Sequence, residues 1–476
     1  MLMRYASPNE RRVITREHLG YYRSVVVGAV YDFGSKSVDL RSPSSYFWPL
    51  TSCLDEHPFL SVVIQDSNTE KPFYDHVQKV NINDHISIAD DLNVDETVGL
   101  TETRSIETIL GSGLDLSWPS HIPPWKILIH PIVSPTSTNP TRCFIAFSFS
   151  HSLSDGLAGP AFHHTFLNAL RLGEQGKEVS EVVKTSGSLP VAFDIAERLP
   201  ISWGFLLRPL LGVLLPKLIA NFLGIRAATT AIDNGTWLGS PTFFKQHEYH
   251  SRYKLLEIEA ALLQKILVES REHGAKLTAT LHQVIIQALS RLIPASRATN
   301  FVSQTAVNMR KSVGVPENEM GSYVTGYDEL HVRTDGAGSL SDTAWAAAST
   351  MTNNLASYAV RLQDQPIGLL RYAPSIKEYL TGKLGQKRDC SYEVSNLVAF
   401  SDTASNAGCK ITKMVFAQPC NVVSAPLVFS IISVKGGSLI LAISWQSGAL
   451  DIAEEDENEF VKGLCELIKS SLQGLQ

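Results

Sequence analysis

The chain has 476 residues, 44% of them hydrophobic and 18% charged, with a formal net charge of −6. That length allows two domains of ordinary size, each with its own core, and that composition excludes a disordered chain. A small negative charge with no basic block excludes the electrostatic footprint of a nucleic-acid-binding protein, so no DNA or RNA partner is expected. In chain order, the opening MLMRYASPNERR lacks the continuous apolar core of a secretory leader, and a cytoplasmic protein is expected. Residues 24–31, SVVVGAVY, and 59–65, FLSVVIQ, are rich in β-branched residues and predict strands. KILIHPIV at 126–133 alternates less cleanly toward its proline, and with 143–150 these runs predict a mixed sheet.

Residues 143–164, CFIAFSFSHSLSDGLAGPAFHH, concentrate the chemistry. The apolar run stops at His151, and Asp155 and Gly156 follow four and five residues later, a strand leaving a sheet through a turn into a helix. An imidazole held at such a sheet edge can take a proton from a hydroxyl near neutral pH and return it. Asp155 sits on another face of the turn and suits a brace for the loop better than a second proton carrier. Gly156 lets backbone approach closely or take a positive φ. Phe162, Phe166, Leu167 and Leu170 then recur at helical spacing, with Gly173 as the stop.

From about 174 to 245 Gly, Ser and Pro breaks predict a crossover between two halves. Within it, residues 199–225 are apolar except for Arg208, Lys217 and Asn221, and prolines at 200, 209 and 216 cut them into pieces too short to span a bilayer. They read as buried or lid-forming short helices, or as an interfacial anchor. The second half predicts helices at 257–274, ending at Gly274, and at 278–292. His282 lies on the latter among apolar neighbours and is assigned no role. Strands are expected at 301–308, 427–434 and 438–445, the last two joined through Lys435, Gly436 and Gly437, and then a helix at 455–472 with its acidic residues first. The expected organisation is 1–185 carrying the histidine motif, a crossover over 186–245, and 246–476 as a second unit. Cys53, Cys143, Cys390, Cys409, Cys420 and Cys465 lack paired spacing, so no metal site and no disulfide framework is expected.

The H-x-x-x-D-G run resembles that of the chloramphenicol acetyltransferase-like superfamily, which includes plant acyltransferases, peptide-synthetase condensation domains and fungal alcohol O-acetyltransferases. The last group fits best. Further matching segments are HLGYYRSVVVGAVY at 18–31, PPWKILI at 123–129, HGAKLTATLHQVIIQALSRLIP at 273–294, YEVSNL at 392–397 and ISWQSGALD at 443–451. Condensation domains usually carry a second histidine directly before the catalytic one; Ser150 stands there, which argues mildly against amide formation on carrier proteins.

The resemblance implies an α/β fold of two acetyltransferase-like halves, mixed sheets flanked by helices, meeting at a tunnel with the histidine midway along it. It implies acetyl-CoA or another acyl-CoA as co-substrate, with no permanently bound cofactor, and a small hydrophobic alcohol as acceptor, His151 being the general base. Ser395 and Asn396 resemble the polar segment that completes the site, although a strand-end turn explains them equally well. Arg310 resembles the arginine that braces the motif aspartate. A monomer is expected, with peripheral contact to endomembrane or a lipid droplet possible through 199–225. The alternatives are a carrier-protein-dependent condensation or cyclisation in the same tunnel, or a catalytically silent ligand-binding homologue. His163 and His164 are left outside the site. The chain has no G-x-S-x-G elbow, Walker loop or H-E-x-x-H motif, and Gly111-Ser112-Gly113 lacks the third glycine of a dinucleotide fingerprint.

Overall fold

Two six-stranded sheets carry the fold. The computed structural model describes residues 2–35, 38–135, 137–173, 180–214, 232–334, 336, 338–402 and 408–475. In the first sheet Ser24–Asp32 lies between Ser137–Ser150 and Lys410–Ala417, antiparallel to both. Trp125–Ser134 follows on the far side of Ser137–Ser150, then the short Ile86–Ile88, with Leu92–Asn93 also paired to Trp125–Ser134. Ser24–Asp32 reads as an unbroken apolar run because it is covered on both faces; eight of its nine residues are buried.

The second sheet runs Ser251–Ile258, Leu439–Gln446, Leu427–Val434, Tyr392–Phe400, Asn300–Asn308, Val324–Val332. Tyr392–Phe400 is parallel to both of its neighbours, whereas Leu427–Val434 and Leu439–Gln446 form the expected hairpin, with Gly436 at φ +80° in the turn. The helices at 260–272 and 277–292 match the expected apolar stripes, and Gly274 stops the first at φ +67°. Four long elements gave no clear sequence signal: Glu102–Leu114, Val324–Val332, Asp342–Val360 and Lys410–Ala417. The strand expected at 59–65 is shorter, since Pro58–Ser61 is a 3-10 turn and only Val62–Gln65 is extended.

Helix Ala158–Leu172 packs on the first sheet through Phe162, Phe166 and Leu167, and the Phe162 and Phe147 rings stack at 4.0 Å and 2°. Such a pair adds about 0.5–1.5 kcal/mol to the burial of its area. The helix approaches so closely because residue 159 is glycine: a Cβ there would lie 2.2 Å from Val27 Cγ2. With one exception, the strands of the first sheet precede residue 151 and those of the second follow residue 250. Lys410–Ala417 nevertheless crosses back from the second half to edge the first sheet. Sequence near the carboxyl end therefore walls a site whose histidine comes from the first half.

In the apolar stretch at 199–225, Trp203–Leu214 is helical, with Leu206 buried and Trp203, Leu207 and Leu211 exposed; 215–225 lies outside the described residues. Among the described residues no helix is long and apolar enough to cross a membrane. All six cysteines are buried, and none is joined in a disulfide.

Candidate active site

His151 directly follows the last residue of Ser137–Ser150, so the sheet fixes its Cα while the turn aims its ring. The ring borders a cavity of about 360 Å³ whose walls come from both halves. That volume is in the range of small-molecule sites. Nδ1 is buried and makes no hydrogen bond of normal geometry, which leaves Nε2 as the nitrogen that can face the cavity. Burial pushes the His151 imidazole down to about 4; the Arg16 and Arg12 cations push the same way, opposed by its own carbonyl and by Asp155. The ring is therefore neutral at pH 7, the state a general base requires.

Asp155 does not share that work. Its carboxylate is buried and receives both Arg310 guanidinium nitrogens, Nη1 to Oδ2 and Nη2 to Oδ1, each at 2.9 Å. The backbone N–H groups of Tyr323 (2.9 Å) and Leu157 (3.1 Å) complete its acceptor sites. Arg310 is wholly buried, donates onward to the carbonyls of Glu319 and Gly321, and lies 5.0 Å from the Tyr323 ring centroid. Ser154 both donates to the Gly321 carbonyl and accepts from its N–H. The motif turn is thus tied to the loop after Asn300–Asn308, and a carboxylate so engaged has no lone pair left for a substrate.

Gly156 has no positive φ, which removes one of the two reasons sequence offered for it. Close packing is the operative one: a Cβ there would come within 2.9 Å of Leu397 Cδ2 and 3.2 Å of Phe416 Cζ, both from the second half of the chain. Ser395 and Asn396 separate, as adjacent strand residues must. Ser395 lines the cavity, whereas Asn396 turns away: its Nδ2 donates to Thr278 Oγ1 at 3.0 Å and its Oδ1 accepts from the N–H of Val398 at 2.8 Å. Val398 has φ +58°, at the irregularity where Tyr392–Phe400 loses register with Leu427–Val434. Asn396 therefore builds a strand irregularity, while Ser395 lines the cavity.

His163 and His282 serve the core. His163 is buried between the Tyr31 hydroxyl (2.8 Å) and the Val27 carbonyl (2.9 Å), and His164 lies outside beside Asn168. His282 bonds Tyr392 and Thr305 deep in the second core. Gly111, Ser112 and Gly113 fall on the helix Glu102–Leu114, where Gly113 admits Ser148 and Val26.

Residues with no sequence assignment complete the wall. The helix Pro8–His18 begins with Pro8 and a capping box, Ser7 with Glu10, and places Arg12 and Arg16 one turn apart on the cavity. The S-P-N-E start was the legible signal for that helix. Arg16 lies with its guanidinium carbon 3.9 Å from the centroid of the Tyr22 ring, which itself meets His151 edge-on at 5.8 Å. Ser150, in the position where condensation domains carry their extra histidine, donates to Glu17, whose carboxyl burial pushes up to about 7.

Residues 106–470 match the alcohol acetyltransferase family. The chain belongs to that family. A probable alcohol acetyltransferase of Fusarium pseudograminearum is 23% identical over 456 residues, covering 91% of this chain and 87% of the relative. One from Aspergillus fumigatus is 21% identical over 459 residues, covering 91% and 93%. The fold is similar to that of trichothecene 15-O-acetyltransferase from Fusarium sporotrichioides, with a TM-score of 0.67, 12% identity, and 98% and 94% of the two chains covered. It is also similar to the condensation domain of the monacolin K polyketide synthase, with a TM-score of 0.58, 10% identity, and 99% and 98% covered. This alcohol acetyltransferase family member is accordingly an acyltransferase with a chloramphenicol acetyltransferase-like fold.

Proposed function

We propose that the protein transfers an acyl group, acetyl in the first instance, from an acyl-CoA to the hydroxyl of a small hydrophobic alcohol or secondary metabolite. The observation that carries this reading is a neutral imidazole on the wall of a cavity between the two halves, with Ser395 on the same wall. His151 Nε2 accepts the hydroxyl proton while the oxygen bonds to the thioester carbon. Negative charge then builds on the thioester oxygen, where the Ser395 hydroxyl donates. The C–S bond breaks as that intermediate collapses, and His151 returns its proton to the departing thiolate. No bond between enzyme and acyl group is formed. Asp155 and Arg310 hold the turn so that the ring stays in place, a positioning role. The exposed Trp203, Leu207 and Leu211 support a peripheral contact with endomembrane or a lipid droplet.

The test is incubation with labelled acetyl-CoA and a panel of alcohols, terpenoids and polyketides, read by mass as a gain of one acetyl group. His151→Ala is expected to lower turnover by about 10²–10⁴ with the fold retained. Transfer at the wild-type rate in that variant overturns the assignment.

A further inference from the structure

Among the described residues, two cations on the cavity wall, the buried Arg16 and the part-buried Arg12, have no anionic partner. Arg16 is 5% exposed, and among the described residues its side chain makes no ion pair and no hydrogen bond; its Nε is buried with no partner. Arg12, one turn earlier on Pro8–His18, bonds only the neutral Asn9 Oδ1, at 3.1 Å and 3.0 Å. Other charges on this wall are paired: Asp155 holds Arg310, and Lys383 pairs with Asp389. The carboxylates whose charge reaches the two arginines are otherwise engaged: Glu17 accepts from Ser150, Glu393 from Ser424 and Asp194 from the N–H of Asn9. Glu17, pushed up to about 7, carries only part of its charge at neutral pH. Buried guanidinium groups are ordinarily paired, and the fork of an arginine matches a carboxylate bidentately.

We propose that Arg16, supported by Arg12, receives a carboxylate carried by the acceptor, so that the substrate class is a hydroxy acid with its hydroxyl at His151 and its carboxylate on the guanidinium. This deepens the acyl-transfer reading and rests on it. Position fixes the source of the anion. Tyr22 links Arg16 to His151 through one ring, so Arg16 stands beside the reacting centre. The phosphates of an acyl-CoA lie a whole pantetheine arm away from the thioester and cannot reach there while the thioester is at His151. Tyr22 is itself fixed, donating from its hydroxyl to Gln418 Oε1 at 2.9 Å, so the guanidinium rests on an immobile face before substrate arrives.

The experiment compares 3-phenyllactate and 3-hydroxydecanoate with their methyl esters, using acetyl-CoA as donor, in the wild-type protein, Arg16→Gln and Arg16→Lys. In the wild type kcat/KM should favour each acid over its ester by at least tenfold. Arg16→Gln should reduce that preference at least tenfold, chiefly through KM, and Arg16→Lys should restore part of it. Calorimetric titration with 3-phenyllactate, without acetyl-CoA, supplies a readout independent of turnover: binding in the wild type and at least tenfold weaker binding in Arg16→Gln. Equal use of acids and esters by the wild type, or equal loss for both in Arg16→Gln, overturns the proposal. If neither is acetylated yet the acid binds through Arg16, the anion subsite stands and the acyl-transfer reading fails. A variant that instead loses selectively with malonyl-CoA and a neutral alcohol would place the carboxylate on the acyl group and overturn the acceptor assignment.

Discussion

Breaking the Asp155–Arg310 pair should unseat the motif turn, and its cost follows from the contacts. The carboxylate accepts from both Arg310 nitrogens and from the N–H groups of Tyr323 and Leu157, and both side chains are buried. In Arg310→Met the carboxylate keeps only its two backbone donors in a low-dielectric site. In Asp155→Asn the guanidinium keeps the Glu319 and Gly321 carbonyls but meets an amide that is neutral and partly a donor itself. Removing one member of a buried pair costs about 3–5 kcal/mol, because the survivor stays buried and charged. The double variant removes both charges, so it should be more stable than the sum of the two losses implies, with a coupling of about 2 kcal/mol. Urea denaturation followed by tryptophan fluorescence and by far-ultraviolet circular dichroism measures this, provided the two transitions coincide. Each single variant should also lose turnover, since the turn carrying His151 is anchored at residue 155. Single losses below about 1 kcal/mol, or strictly additive losses, would refute the reasoning, because they would mean the pair is solvated and replaceable.

Ser395→Ala should lower kcat by about 10²-fold if its hydroxyl serves the developing oxyanion. Asn396→Ala should cost about 1 kcal/mol of stability, through its bonds to Thr278 and Val398, with a much smaller effect on kcat; the two kcat ratios separate the roles of the neighbours. Gly159→Ala should destabilise more than Gly156→Ala. The first drives a Cβ to 2.2 Å from the stiff Val27, the second to 2.9 Å from the flexible end of Leu397, and overpacking costs about 1–3 kcal/mol; thermal midpoints give the order. Burial holds His57, His85, His163 and His331 down at about 4, below the ordinary histidine value of about 6.5. Their neutral forms thus favour the folded state. The contribution of these histidines should be complete above pH 6.5 and be lost as pH drops toward 4, because the unfolded chain then binds protons that the folded one refuses. A midpoint that rises between pH 6.5 and 4.5 would contradict this. The acid limb of kcat/KM should likewise lie well below 6.5, where His151 becomes charged.

The local sequence determined much of this protein. His151 at the end of an apolar run, the helix that closes at Gly173, the stripes on 260–272 and 277–292, and the hairpin through Gly436 all follow from periodicity and turn chemistry, which act over a few residues. Edge and late elements were harder to read. Lys410–Ala417 alternates weakly because its environment comes from Ser24–Asp32, some 380 positions earlier, and no nearby residue records that pairing. The site divides the same way. Spacing identified the histidine and its aspartate, and resemblance supplied Arg310, but spacing could not tell which of Ser395 and Asn396 faces the cavity. Strand alternation requires the two to diverge, and only packing against Thr278 fixes which way. Arg12 and Arg16 drew no assignment from the sequence. Tertiary structure alone turned that face inward onto Tyr22 and His151, because charge burial depends on what the rest of the chain brings alongside, and that information is absent from any short stretch of sequence.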